Sequence, residues 1–445
     1  MNELPVVVIG AGPVGLAAAA ELVERGFEPL VLERGAQAGA DVAEWNHVRL
    51  FSPWSELVAP AAGRLLEQTG WTRSDGETYP TGSEWAGLYL RPLAAALGDR
   101  VRFDAEVIGV ARRGRDRVVD SGRDEEPFTV HVRAADGSEE RVTARAVIDA
   151  SGTWSTPNPL GGEGLPAVGE RSAADRIGYR VPDLNDETVR ARYAGKHVVV
   201  AGSGHSALTA LVALSGLADD RTRISWVLRR GAVGDTFGGG DADQLPARGA
   251  LGLRARAAVE SGQITVVTGF RTELVERDTD GRLTLISSGG QRIERVDEVV
   301  TLSGFRPELT WLSEIRLELD PTLQAPVALA PLIDPNVHSC GTVYPHGAKE
   351  LAHPEKDFFL AGMKSYGRAP TFLAMTGYEQ VRSIATELAG DHEAAARVEL
   401  RMAETGVCGG AGLFDEPGDA PAAGGCCATP EPEVLTLSAP SAAVR

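Results

Sequence analysis

Two glycine-rich turns sit in this one chain, Gly10-Ala11-Gly12-Pro13-Val14-Gly15 and Gly202-Ser203-Gly204-His205-Ser206-Ala207. Each follows a run of branched apolar residues, Val6 to Ile9 and Val198 to Ala201, and each opens an alanine- and leucine-rich stretch of helical character. Strand, tight turn and helix N-terminus together cradle a pyrophosphate. The first glycine turns the chain, the second lets phosphate approach backbone, and the third lets the helix pack on the strand. The helix directs its positive end at the phosphates. A chain with two such cradles is predicted to be α/β, with two Rossmann-like dinucleotide-binding domains.

The two cradles differ in what ends their next strand. Leu30-Val31-Leu32-Glu33 places a carboxylate about 20 residues past the first turn, where it can accept from ribose hydroxyls. The second copy continues to Ile224-Ser225-Trp226-Val227-Leu228 and ends in Arg229-Arg230, with no acid. Two guanidinium groups there suit a 2′-phosphate, so the second site is read as an NADPH site, against the plainer reading of an ordinary solvated pair.

A length of 445 residues is enough for two or three domains. Forty-four basic side chains against 62 acidic ones give a formal charge of −18, which argues against nucleic acid or an anionic membrane as partner. No basic segment followed by an apolar core opens the chain, and no apolar run reaches the ~18 residues of a spanning helix, so a cytoplasmic protein is expected. The four cysteines, Cys340, Cys408, Cys426 and Cys427, all fall in the last quarter. In a reducing compartment they read as packing, ligands or redox groups rather than a disulfide framework.

The motif order predicts a discontinuous first domain. It would run over 1–160, give way to an NADPH domain over 161–298, return over 299–403 and end in a Gly/Ala/Pro-rich tail over 404–445. The charged stretch Arg115 to Glu126 reads as a hairpin tip or surface loop. Ser155-Thr156-Pro157-Asn158-Pro159 reads as a crossing between domains, and Phe358 to Met363 with Thr371 to Leu388 as the strand and helix that close the first.

This order of parts resembles the class B flavin monooxygenases: a first nucleotide turn, an Ala-Ser-Gly strand end (Ala150-Ser151-Gly152), an inserted second turn, then a return. Leu50-Phe51-Ser52-Pro53-Trp54, Gly152 to Leu160, Gly362 to Phe372, Glu404 to Cys408 and the Cys426-Cys427 pair are similar to the flavoprotein monooxygenases found with arsenic-resistance genes. The family's phenylalanine-glycine-histidine signature before the second turn is absent. The resemblance implies FAD at the first site, contacted by Gly10, Gly12, Pro13, Val14, Gly15, Glu33, Arg34, Arg49, Val107, Ala150, Gly152, Gly362 and Met363. It implies NADPH at Gly202, Ser203, Gly204, His205, Ser206, Arg229 and Arg230.

Under that resemblance NADPH reduces the flavin, and reduced flavin adds O₂ to give a hydroperoxide whose electrophilic oxygen suits a soft lone pair on arsenic, sulfur or nitrogen. The substrate implied is a small molecule, a trivalent organoarsenical such as methylarsenite, oxidised to the pentavalent form. Trivalent arsenic is thiophilic, which makes Cys340, Cys408, Cys426 and Cys427 candidates for capture, against the reading of Cys340 and Cys408 as buried small hydrophobes. Arg49 is a candidate to stabilise reduced flavin, and Trp45 and Trp54 to exclude water or simply to pack. His338, His346, Glu350 and His353 match no ordinary zinc spacing and read as a pocket loop, so no metal is expected. Three other readings stay open: a sulfur or nitrogen monooxygenase, a flavin disulfide or metal-ion reductase using the terminal cysteine pair, and a non-enzymatic flavin-binding sensor. The usual reductase carries a cysteine pair beside the flavin, and here no cysteine precedes residue 340.

Overall fold

Apolar runs without polar alternation pair most favourably where both sheet faces are covered, and this chain puts them at the centre of two parallel sheets. The computed structural model describes residues 4–217, 221–243, 245–337, 346–370 and 372–397. In chain order the strands are β1 (Val6–Ile9), β2 (Pro29–Leu32), β3 (Val101–Arg102), β4 (Ala105–Arg112), β5 (Phe128–Ala134), β6 (Glu139–Ala144), β7 (Ala146–Asp149) and β8 (Ile177–Gly178). There follow β9 (His197–Ala201), β10 (Arg223–Val227), β11 (Ile264–Val267), β12 (Thr272–Arg277), β13 (Leu283–Ser287), β14 (Arg292–Val296), β15 (Glu298–Thr301) and β16 (Phe358–Leu360).

The first parallel sheet has the order β16-β7-β1-β2-β3 and the second β11-β10-β9-β15-β8. In each, the strand that feeds a glycine turn, β1 or β9, lies inside the sheet with a parallel neighbour on either side, so the turn emerges at the middle of the sheet's edge. Two antiparallel three-stranded sheets, β4-β5-β6 and β12-β13-β14, attach one to each unit. The expected α/β fold with two Rossmann-like units is therefore present. Helix Pro13–Glu24 is buried along Val14 to Leu22 because the first sheet lies on one side and helix Ala374–Leu388 packs on the other.

One expected boundary moves. β15 was to begin the return to the first domain at 299, but it pairs in parallel with β9, so the second unit extends to Thr301. Its Ser-Gly ending looks like that of β7 because both strands lead into a crossing, not because both belong to one sheet. The two crossings, near 152–160 and 302–307, lie side by side. Asn158 N donates to the Gly304 carbonyl at 2.9 Å, and Arg306 N to that of Thr156 at 3.0 Å. Trp154 and Phe305 stack with centroids 4.8 Å apart, and the Arg180 guanidinium lies 4.0 Å over Trp154. Trp154 Nε1 donates to Glu44 of the first unit at 2.7 Å, while Arg180 comes from the second. Among the described residues no helix is long and apolar enough to cross a membrane.

Candidate functional site

At the first turn Gly10 has φ +99°, and a Cβ there would lie 2.9 Å from the Ala150 carbonyl oxygen. A Cβ on Gly15 would fall 1.9 Å from the Gly10 carbonyl, whereas Gly12 has nothing within 4 Å. The turn is thus packed against β7 on one side and open at the position where a phosphate would approach. Glu33, buried at the end of β2, accepts from Ala11 N at 2.6 Å and Gly35 N at 2.8 Å. Burial pushes its carboxyl above the usual range, and the two backbone donors oppose that shift. Through these two bonds the acid braces the turn. These residues fit FAD: an open backbone notch, a braced carboxylate and a helix N-terminus aimed into the notch.

The second turn repeats the pattern. Gly202 has φ +133° with a Cβ position 2.3 Å from the Leu302 carbonyl, and Gly204 is open. A cleft of about 400 Å³ runs along it, lined by Gly202 to Ser206, Arg229, Arg230, Arg248 and, from the first unit, Met363 and Arg368. Met363 of the first unit thus faces the cleft that runs along the second glycine turn. Burial, then the neighbouring Arg271 and Arg230, holds the Arg229 guanidinium below its ordinary range. Arg230 reaches Ser203 Oγ at 3.3 Å. This cationic cluster suits a phosphate ester, and Arg271, which follows β11 in the chain, escaped the sequence reading because nothing local ties it to Arg229. His205, at the N-terminus of helix His205–Ser215, is lowered to about 4 by burial and then by Arg248, so it is neutral near pH 7. Its ring meets Phe51 edge-on at 5.3 Å, bringing the 46–54 loop of the first unit onto the second turn.

Other predicted residues fall as follows. Arg34 pairs with Asp41 at 2.6 Å at the mouth of a second cleft. Val107, opposite Val132, packs against the core around Val7, Ile9 and Leu32. Ala150 N donates to the Ile9 carbonyl, and Gly152 has φ +71°. Pro13 starts the first helix, and Val14 contacts the Cβ position of Gly362 at 3.2 Å. Arg49 is exposed, bridges to Thr81 and donates to the Tyr79 carbonyl, and it is not among the residues lining the cleft along the second turn. Trp54 is 4% exposed in the first core, which is the packing reading. Cys340, Cys408, Cys426 and Cys427 lie outside the described residues, as does His338. His346, Glu350 and His353 turn to separate partners, Gln380, Gly347 N and Glu318 N. Among the described residues no three His, Cys, Asp or Glu side chains gather in a metal-binding group.

Sequence reading missed two buried charge clusters. Lys364 Nζ lies 2.7 Å from Asp149 Oδ2, donates to Ser151 Oγ at 3.0 Å and sits 4.3 Å from the Trp311 ring centre. Glu355 receives both Arg112 and Arg123 at 2.7 Å, so the presumed surface loop around Arg123 is anchored through a side chain only 2% exposed.

Residues 7–329 match the family described as pyridine nucleotide-disulphide oxidoreductase. A ferredoxin–NADP reductase of Ignicoccus hospitalis is 25% identical over 317 residues, 70% of this chain and 81% of that protein. A flavin-containing monooxygenase, FMO GS-OX-like 2 of Arabidopsis thaliana, is 28% identical over 224 residues, 45% of each chain. Among solved structures, bacillithiol disulfide reductase of Bacillus cereus superposes with a TM-score of 0.64 at 20% identity, covering 87% of this chain and 99% of that one. The FAD-bound cadaverine monooxygenase of Erwinia amylovora gives 0.62 at 16%, covering 91% and 98%. At these identities the structural likeness is one of fold. With a glycine-rich strand-turn-helix cradle in each unit and a family match over residues 7–329, the chain belongs to the pyridine nucleotide-disulphide oxidoreductase family and is an FAD-dependent oxidoreductase that uses NAD(P)H.

Proposed function

We propose that this protein is an NADPH- and FAD-dependent monooxygenase that oxidises a soft nucleophile, a trivalent organoarsenical such as methylarsenite, to its pentavalent form. The observation that carries the oxygenase reading is the position of the cysteines along the chain: none precedes residue 340, so the whole second nucleotide unit and the first as far as that point hold no thiol pair. The usual disulfide reductase keeps a redox cysteine pair beside its flavin. Here the site offers backbone, Met363 and guanidinium groups instead.

FAD, when bound, accepts hydride from NADPH and passes electrons to O₂. The chain's part is binding and alignment. The Gly10–Gly15 turn and Glu33 hold the FAD diphosphate and ribose, while Gly202–Ser206 holds that of NADPH. Arg229 and Arg230 take the 2′-phosphate. Gly362 and Met363 present backbone to the flavin edge. In the overall balance one oxygen atom bonds to arsenic through its lone pair, and the other leaves as water with the hydride and a proton. Cys340, Cys408 and the Cys426-Cys427 pair are proposed to capture the arsenical, since trivalent arsenic exchanges readily onto thiolate.

The test is steady-state oxidation of methylarsenite by wild type and by the Cys426→Ser/Cys427→Ser variant. Capture by the pair predicts a KM raised about tenfold with kcat within about twofold, the pattern of lost ground-state binding. Unchanged saturation removes the pair from the mechanism. A second reading, reduction of a disulfide or metal ion, is favoured by the vicinal pair itself and by the reductases among the relatives.

A further inference from the structure

Gly362 follows β16, and both its backbone polar groups are held by side chains. Its N–H donates to Gln380 Oε1 at 2.8 Å, and its carbonyl accepts from Ser365 Oγ at 2.7 Å. The Gln380 amide nitrogen donates to the same Ser365 Oγ at 3.0 Å and faces His346 Nε2 at 2.9 Å. Gln380 and Ser365 are wholly buried, and His346 is 3% exposed. Since the Gln380 amide donates, His346 Nε2 is the acceptor and its proton sits on Nδ1.

The helix that carries Gln380, Ala374–Leu388, also presses on the first nucleotide turn. A Cβ on Gly377 would lie 2.5 Å from Val14 Cγ2, and Gly362, at φ +68°, has its own Cβ position 3.2 Å from the same atom. One helix therefore registers the diphosphate end of the site through Val14 and the Gly362–Met363 end through Gln380. On the opposite side the same short segment is tied down by Lys364, in its buried pair with Asp149. A buried amide that bonds both Gly362 and Ser365 fixes their turn more sharply than apolar packing would, because any shift leaves a polar group unpaired.

We infer that Gln380 is a positioning residue for hydride transfer: by gripping the Gly362 N–H it sets the height and tilt of the backbone against which the flavin edge rests. The inference rests on the reading of Gly362–Met363 as that edge. Gln380 acts through the Gly362 turn, on the Gly362 N–H directly and on the Gly362 carbonyl by way of Ser365.

The experiment uses the full-length, FAD-reconstituted protein. Flavin reduction by NADPH is followed anaerobically by stopped flow, with visible circular dichroism of the bound flavin and its midpoint potential. Gln380→Leu removes the acceptor at similar volume, and Gln380→Glu keeps it. Gln380→Leu is expected to slow reduction at saturating NADPH about tenfold or more, to alter the flavin dichroism and to leave the NADPH dissociation constant within about threefold. Gln380→Glu is expected to restore the rate to within about threefold of wild type. Should Gln380→Leu yield no folded protein, Gln380→Asn, whose shorter amide falls short of Gly362, takes its place with the same expectations. A folded Leu or Asn variant with wild-type rate, dichroism and potential overturns the inference, as does a Glu variant as impaired as the Leu variant. Wild-type protein that binds no FAD would instead remove the flavin reading, and the inference with it.

Discussion

Glycines that look alike in a motif are held by different constraints here. A Cβ on Gly15 or Gly202 collides with backbone, at 1.9 Å and 2.3 Å, while Gly12 and Gly204 face open space. Gly15→Ala is therefore expected to yield little folded protein. Gly12→Ala should fold and lose FAD affinity about tenfold, and Gly204→Ala should keep FAD and lose NADPH affinity by a similar factor, each about 1.4 kcal/mol. Titration calorimetry with each nucleotide checks the pair, and a Gly204→Ala variant that loses FAD would contradict it. Replacing Arg229 and Arg230 with alanine should cost NADPH about 2 kcal/mol of binding and leave NADH nearly unchanged, judged by the ratio of the two kcat/KM values. These positions were legible because turn geometry and the strand-end acid are encoded within a few residues. Asp149–Lys364 and Gln380–Gly362 were not, since their partners meet only after the first sheet and its closing helix have assembled.

At the scale of elements, the stacked crossings join the two units. Arg180 lies over Trp154 and donates to its carbonyl at 2.6 Å, so Arg180→Ala removes a contact between units without emptying either core. The expected cost is about 1–2 kcal/mol, seen in calorimetry as a lower transition temperature that begins to split into two. A variant with a single unshifted transition would show that the staple carries no load. Acid sensitivity belongs to this scale too. His205 and His353 are each lowered to about 4 by burial, below the ordinary 6.5. The unfolded chain binds their protons first, so their stabilising contribution is full above pH 6.5 and is lost as pH falls from there toward 4. Melting temperature should drop through that window, and His353→Gln, which keeps an acceptor for Glu318 N, should shallow the slope. An identical slope would exclude His353 as a source. Both strand-turn-helix units and the Pro-rich crossing were legible in local pattern. The placement of β15 was not, because an apolar run ending in Ser-Gly fits a strand of either sheet and only pairing with β9 decides.

For the whole molecule, the order of motifs along the chain carried the architecture, since a second cradle inserted between two parts of the first leaves few ways to wind the sheets. Chemistry was less legible. Fold fixes where two nucleotides meet, and substrate choice rests on side chains that converge from distant segments. We propose that electrons pass from NADPH through FAD to O₂, with oxygen delivered to trivalent arsenic. Oxygen uptake by the purified, FAD-loaded protein, with NADPH and catalase present, is to be recorded before and after methylarsenite is added. A methylarsenite-dependent rise in uptake is expected, matched by NADPH consumed and pentavalent product formed in equal amounts. No rise, together with anaerobic NADPH consumption on adding a disulfide or a metal ion, would contradict it and establish a reductase instead.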